Sequence, residues 1–142
     1  MGELMMRHWN LTYNDPDRWR EVYAVAGRPL GFSQTLINGF RGRPTGSPRA
    51  QLVGASRPEI QDLLTLTDNL KWANIQRTQN GVILYFRVLL ETYGIPFKSE
   101  GLTVSEGPDF RLMHGEDWLA FQGQEAPNLR QWLLAVGGAA TA

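Results

Sequence analysis

The chain contains no cysteine, which excludes disulfides, thiolate nucleophiles and zinc sites with sulfur ligands, and fits a reducing compartment. Histidine is scarce: His8 and His114 are the only two, and neither has a ligand-like partner at close spacing. No run approaches the roughly 18 to 20 uninterrupted apolar residues of a membrane-spanning helix, and Met1 to Asn14 lacks a basic-then-apolar leader pattern. The expectation is a cytoplasmic protein with no membrane contact. Gly-x-x-x-x-Gly-Lys-Ser/Thr, Gly-x-Gly-x-x-Gly and Gly-x-Ser-x-Gly are all missing, which argues against P-loop, dinucleotide-binding and hydrolase-elbow chemistry.

What is present fits one domain spanning residues 1–142. Its 142 residues are 42% apolar and 20% charged, enough for a hydrophobic core without staples. The formal net charge is zero, but unevenly spread. Residues 1–58 carry eight of the twelve arginines against four acids, a basic balance suited to nucleic acid or an acidic partner.

Trp9, Leu11 and Tyr13 alternate, which predicts a short strand over His8 to Tyr13. Asp15 and Pro16 then read as a helix start, with Trp19, Val22, Tyr23 and Ala26 at helical spacing up to Gly27. From Arg28 to Ala50, glycines and prolines predict mostly loop, with a short strand at Thr35 to Ile37. Phe40, Arg41, Arg43 and Arg49 in this loop form a basic arm able to order against phosphates or a neighbouring subunit. A strand at Gln51 to Val53 precedes Ser56-Arg57-Pro58-Glu59, which has the spacing of a capping box opening a helix through Ile60, Leu63 and Leu64.

The stretch from Trp72 to Tyr93 admits two readings. Trp72, Ile75, Gln79, Val82, Phe86, Leu89 and Tyr93 recur at spacings of three and four, as on one helix face. Asn80-Gly81 followed by Val82 to Phe86 equally reads as a hairpin turn into a buried strand. Tyr93-Gly94-Ile95-Pro96 resembles a helix stop and favours the helix. Strands follow at Phe97 to Val104, Asp109 to Met113 and Trp118 to Gln122, with His114 to Asp117 as a turn. Pro127 opens a closing helix with Leu129, Trp132, Leu133 and Val136 inward, and Gly138 to Ala142 reads as a frayed tail. The expected fold is α+β: three or four helices on a small, mainly antiparallel sheet formed largely by residues 95–123.

Acids gather in the second half, among them Glu91, Asp109 and Asp117, and two or three converging carboxylates can hold Mg²⁺. The order helix, strand, Pro108-Asp109 opening a strand, turn, strand and helix over residues 82–136 resembles the core of the PD-(D/E)xK nuclease family. The resemblance implies Asp109 as first catalytic and metal-binding carboxylate. Ala120-Phe121-Gln122 falls where the family's Glu-x-Lys element belongs, with Gln122 in place of the lysine and no carboxylate at Ala120. Glu91 would be the nearest substitute. This fits a degenerate or inactivated nuclease-like fold that binds nucleic acid, with Mg²⁺ as the implied ion. With no complete catalytic set and five tryptophans, the first expectation is a non-enzymatic interaction or assembly subunit, as in a phage particle or defence complex. It would need no cofactor and would engage protein partners or itself. The alternative is DNA or RNA binding through the basic loop at Arg41, Arg43 and Arg49 beside the nuclease-like core.

Overall fold

A computed structural model describes residues 6–31 and 45–142. In chain order its elements are β1 (Trp9–Asn10), α1 (Pro16–Ala26), β2 (Ala50–Ala55), α2 (Pro58–Leu64), β3 (Trp72–Arg77), β4 (Gly81–Val88), β5 (Glu91–Lys98), β6 (Leu102–Val104), β7 (Phe110–His114), β8 (Asp117–Gln122), α3 (Ala126–Ala135) and β9 (Ala140–Thr141). The strands form one sheet in the order β1-β5-β4-β3-β2-β8-β7-β6-β9, antiparallel except for the parallel pair β6·β9. The expected helical domain on a small sheet is therefore overturned. Strands take 40% of the described residues and helices 23%, in a nine-stranded mixed sheet. No helix among the described residues is long and apolar enough to cross a membrane.

The error sits between Trp72 and Lys98. Val82 to Phe86 is apolar at every position because both faces of β4 are covered. Val82, Leu84 and Phe86 enter the main core, whereas Ile83 packs with Leu11, Val22 and Ala26 beneath α1. A strand buried on both sides loses its alternation and becomes indistinguishable by period from a buried helix. Gly94 is no helix stop either. It lies in β5 opposite Tyr85, and a Cβ there would meet Leu11 Cδ1 at 2.5 Å. Glycine lets the Leu11 side chain pack directly on the strand.

β5 and β6 lie six steps apart in the hydrogen-bonded order, which would separate them by about 29 Å in a flat sheet. Only Ser99, Glu100 and Gly101 join them, and that link reaches at most about 15 Å. The sheet must therefore curl until its two flanks meet. Arg77 Nη1 donates to Ser99 Oγ at 3.0 Å, and Ser99 Oγ donates to the Gly137 carbonyl at 3.0 Å, fastening the junction. The concave side holds the main core, closed by α2 through Ile60 and Leu64 and by α3 through Leu129 and Leu133. Among the described helices, α1 alone covers the convex side, over β4 and β5.

Local signals fare better at α1. Asp15 Oδ1 accepts the Asp17 N–H at 2.9 Å, Pro16 occupies the first turn, and Gly27 closes the helix at φ 82°. The box at Ser56 differs: the N-cap of α2 is Arg57, without a side-chain cap bond. Ser56 Oγ instead accepts the Trp118 N–H at 2.9 Å and donates to Asp117 at 3.2 Å, tying β2 to β8. The tail also differs, because β9 pairs with β6 and the Ala142 N–H donates to the Val104 carbonyl at 2.9 Å.

Two glycine substitutions should rank by what the new methyl meets. At Gly81 it would lie 1.8 Å from the Phe97 carbonyl oxygen, so Gly81→Ala must part β4 from β5 and should cost about 4 kcal/mol or prevent folding. Gly94→Ala meets a side chain that can rotate and should cost about 1–2 kcal/mol. Urea titrations of the two variants check the order.

Candidate functional site

Two surfaces stand out. The first is the convex face of β3, β2, β8 and β7, which no described helix covers. Its strand positions are Trp72, Asn74 and Gln76 on β3, Gln51 and Val53 on β2, Trp118, Ala120 and Gln122 on β8, and Arg111 and Met113 on β7. The Arg49 guanidinium lies 4.1 Å from the centroid of Trp72, and that of Arg111 lies 4.0 Å from Trp118. Both arginines are exposed. Neither they nor Arg87, exposed at the convex side of β4, has a carboxylate within ion-pair distance among the described residues. An open hollow of about 340 Å³ is lined here by Leu70, Trp72, Asn74, Tyr85, Arg87 and Thr92. The Tyr85 hydroxyl donates to Gln76 Oε1 at 3.0 Å, and burial, then the neighbouring Tyr23, pushes its pKa up to about 12. It remains a neutral phenol at physiological pH.

The second surface is an apolar end of the sheet. Of six large hydrophobic residues exposed among the described ones, Tyr13, Leu70, Leu89 and Leu90 gather there, between 61% and 82% accessible. The Val88↔Glu91 pair makes Leu89-Leu90 a two-residue hairpin tip. Continuing the Ala73↔Phe86 register by three residues sets Leu70 opposite Leu89. Thr92 accepts the Leu11 N–H at 2.8 Å and donates its own N–H to Thr12 Oγ1 at 2.8 Å, which brings Tyr13 alongside. The loop that carries Leu70 is tied down by Lys71, only 5% exposed, which donates to the Thr67 carbonyl at 3.1 Å, to Thr67 Oγ1 at 2.8 Å and to the Asn69 carbonyl.

Leu89 has φ 57°, alone among the described non-glycine residues in being positive. The β7–β8 hairpin offers an internal comparison. His114↔Asp117 encloses an equivalent two-residue tip, and there the corresponding position is Gly115 at φ 63°. One hairpin uses the residue that this backbone favours; the other places leucine there, at a cost of about 1–2 kcal/mol.

The residues singled out in the sequence are distributed unevenly over these features. Ala120 and Gln122 lie on the convex face, and Arg49 joins them through Trp72. Asp109 sits at the rim just before β7, exposed, with Oδ1 3.4 Å from the Gly123 N–H. Arg111 is directly opposite Ala120, so a carboxylate at position 120 would have a guanidinium as its neighbour. Glu91 is on β5, five strands from β7, where it accepts from Asn10 Nδ2 at 2.9 Å and from the Tyr93 hydroxyl at 2.8 Å. It does not reach Asp109. No group of three or more His, Asp or Glu side chains among the described residues could hold a metal ion. Phe40, Arg41 and Arg43, like the strand expected at Thr35 to Ile37, lie outside the described residues. Over residues 82–93 the helix of the nuclease-like element order is replaced by β4 and β5. The leucine end was missed, although Leu89-Leu90 between two apolar strands was visible; its tip position became readable only with the hairpin.

His8 packs against Tyr93, ring centroids 5.9 Å apart. Burial, chiefly, holds it below its ordinary 6.5, with Glu59 opposing and Arg7 assisting. The unfolded chain therefore takes up this proton first as pH falls. Stability should drop as pH falls below about 6.5, and His8→Gln should reduce that slope in urea midpoints measured between pH 7.5 and 5. Lys71→Met should cost about 1–2 kcal/mol by orphaning the loop acceptors, with faster amide exchange across residues 66–70.

The chain matches no family model, no curated protein and no solved structure, so its own surfaces carry the functional reading.

Proposed function

We propose that this protein is a non-catalytic interaction subunit of a larger assembly, docking a protein partner through the apolar end built from Tyr13, Leu70, Leu89 and Leu90. The observation that carries this reading is Leu89: a bulky residue kept at φ 57°, exposed, and followed by an equally exposed leucine. Leaving two leucine side chains in water contributes nothing to folding, whereas transferring them to an apolar recess is worth about 1.5–3 kcal/mol each. The hairpin tip projects, so its complement is a recess on the partner. Lys71 and its loop acceptors hold Leu70 in position before docking, which lowers the ordering cost on binding.

The test separates stability from binding. Leu89→Gly suits the backbone and should leave stability unchanged or raise it by up to about 1 kcal/mol, yet weaken docking. A photoreactive side chain at position 90, introduced in the source cells, should give one discrete covalent adduct. The same group at exposed Gln131 on α3 should not. An adduct of twice the chain mass would identify the partner as a second copy, and a larger or smaller one as a different protein. Equal, diffuse labelling at both positions, together with destabilisation by Leu89→Gly, would overturn the proposal.

A further inference from the structure

We infer a second binding site, independent of the leucine end: the convex face of β3, β2, β8 and β7 takes a single-stranded nucleic acid, with Arg49–Trp72 and Arg111–Trp118 as two stacking platforms.

Charge complementarity is the first support. Arg49, Arg87 and Arg111 are exposed and without ion pairs among the described residues, unlike Arg18, Arg20, Arg57 and Arg130, each of which faces a carboxylate. No convex-facing position of β2, β3, β4, β7 or β8 is acidic; Asp68 and Asp109 stand on the rims. Three unneutralised guanidinium groups on an acid-free face favour a polyanion.

Planarity is the second support, and it decides between polyanions. Two of the three arginine–tryptophan stacks among the described residues lie on this face. An indole with a guanidinium layered on it offers a flat surface on which any base can stack. The 340 Å³ hollow beside Trp72 falls in the lower range of small-ligand sites. Asn74 in its wall carries both an amide donor and an acceptor for a base edge, and Arg87 can reach the adjoining phosphate. Two strand spacings and about four residues along the strands put the tryptophans roughly 16 Å apart, a span for a strand of several nucleotides. A carboxylate-rich peptide would satisfy the arginines but leave the stacking surfaces unused. A duplex keeps its bases stacked on one another. Between the platforms lie Gly54 and Ala120, adjacent in the β2·β8 register; a Cβ at Gly54 would meet Trp118 Cζ3 at 3.5 Å and Gln61 Oε1 at 3.6 Å, so the small residues let the Trp118 ring lie close against the sheet.

The test uses the full chain and fluorescein-labelled 12-nucleotide oligo(dT) and oligo(U), a 12-base-pair duplex, and poly-glutamate as competitor. Single strands should bind and quench tryptophan fluorescence, with a log–log salt slope of about −2 from three neutralised phosphates. Replacing Arg49, Arg87 or Arg111 by Ala should each flatten the slope by about 0.7. Trp72→Leu should weaken binding about tenfold at unchanged slope. Arg111→Lys, which keeps the charge but removes the plane and leaves the exposed position foldable, should also weaken binding at unchanged slope. The inference is overturned if single strands fail to bind at roughly 50 mM salt. It is equally overturned if poly-glutamate or the duplex binds as tightly, or if affinity ignores both Trp72→Leu and Arg111→Lys.

Discussion

The three residues between β5 and β6 constrain everything else. Strands that are six positions apart by hydrogen bonding must end within a short link of each other, so the sheet has to wrap around its contents. That wrapping creates a concave interior filled by the main core and closed by α2 and α3, and a convex exterior of which α1, among the described helices, covers one flank. Ser99, bridging Arg77 and Gly137, sits at the closure and joins the ends of β3, β5 and α3. The Met6 N–H bonded to Asp117 at 2.9 Å adds a second tie across the opening, between the N-terminal segment and β8.

Both proposed surfaces follow from this geometry. A flat sheet with helices on one side would expose its whole second face. The curl exposes only a convex strip, and the residues there carry arginine, tryptophan and amides in place of an apolar surface needing cover. The leucine end has another origin. Leu89 and Leu90 stand at a hairpin tip beyond the last strand pair, where the core no longer covers them. Gly115 and Leu89 occupy equivalent positions with similar φ, so the backbone tolerates either residue, and the leucine is explained by binding better than by folding.

Sequence signals succeeded where a single local interaction decides. Asp15, Pro16 and Gly27 bracket α1 because capping needs only nearby backbone groups. Pro127 likewise marks the first turn of α3. They failed where a partner distant in sequence takes over. Ser56 has the spacing of a helix cap, but Asp117 and Trp118, some sixty residues away, claim its hydroxyl. Gly94 looks like a helix stop, but Leu11 explains it. The three-and-four spacing from Trp72 to Tyr93 is what two short turns and three strands happen to leave.

The sequence by itself determined the absence of cysteine chemistry, the helix α1, the two strands read as Asp109 to Met113 and Trp118 to Gln122, and an arginine-rich first half, because composition and short-range bonding are written into adjacent residues. Only the tertiary structure decided that β4 is buried on both faces, that Arg111 faces Ala120, that Glu91 lies five strands from β7, and that four exposed apolar side chains share one end. Each of these depends on strand order, and strand order is fixed by burial of side chains far apart in the chain.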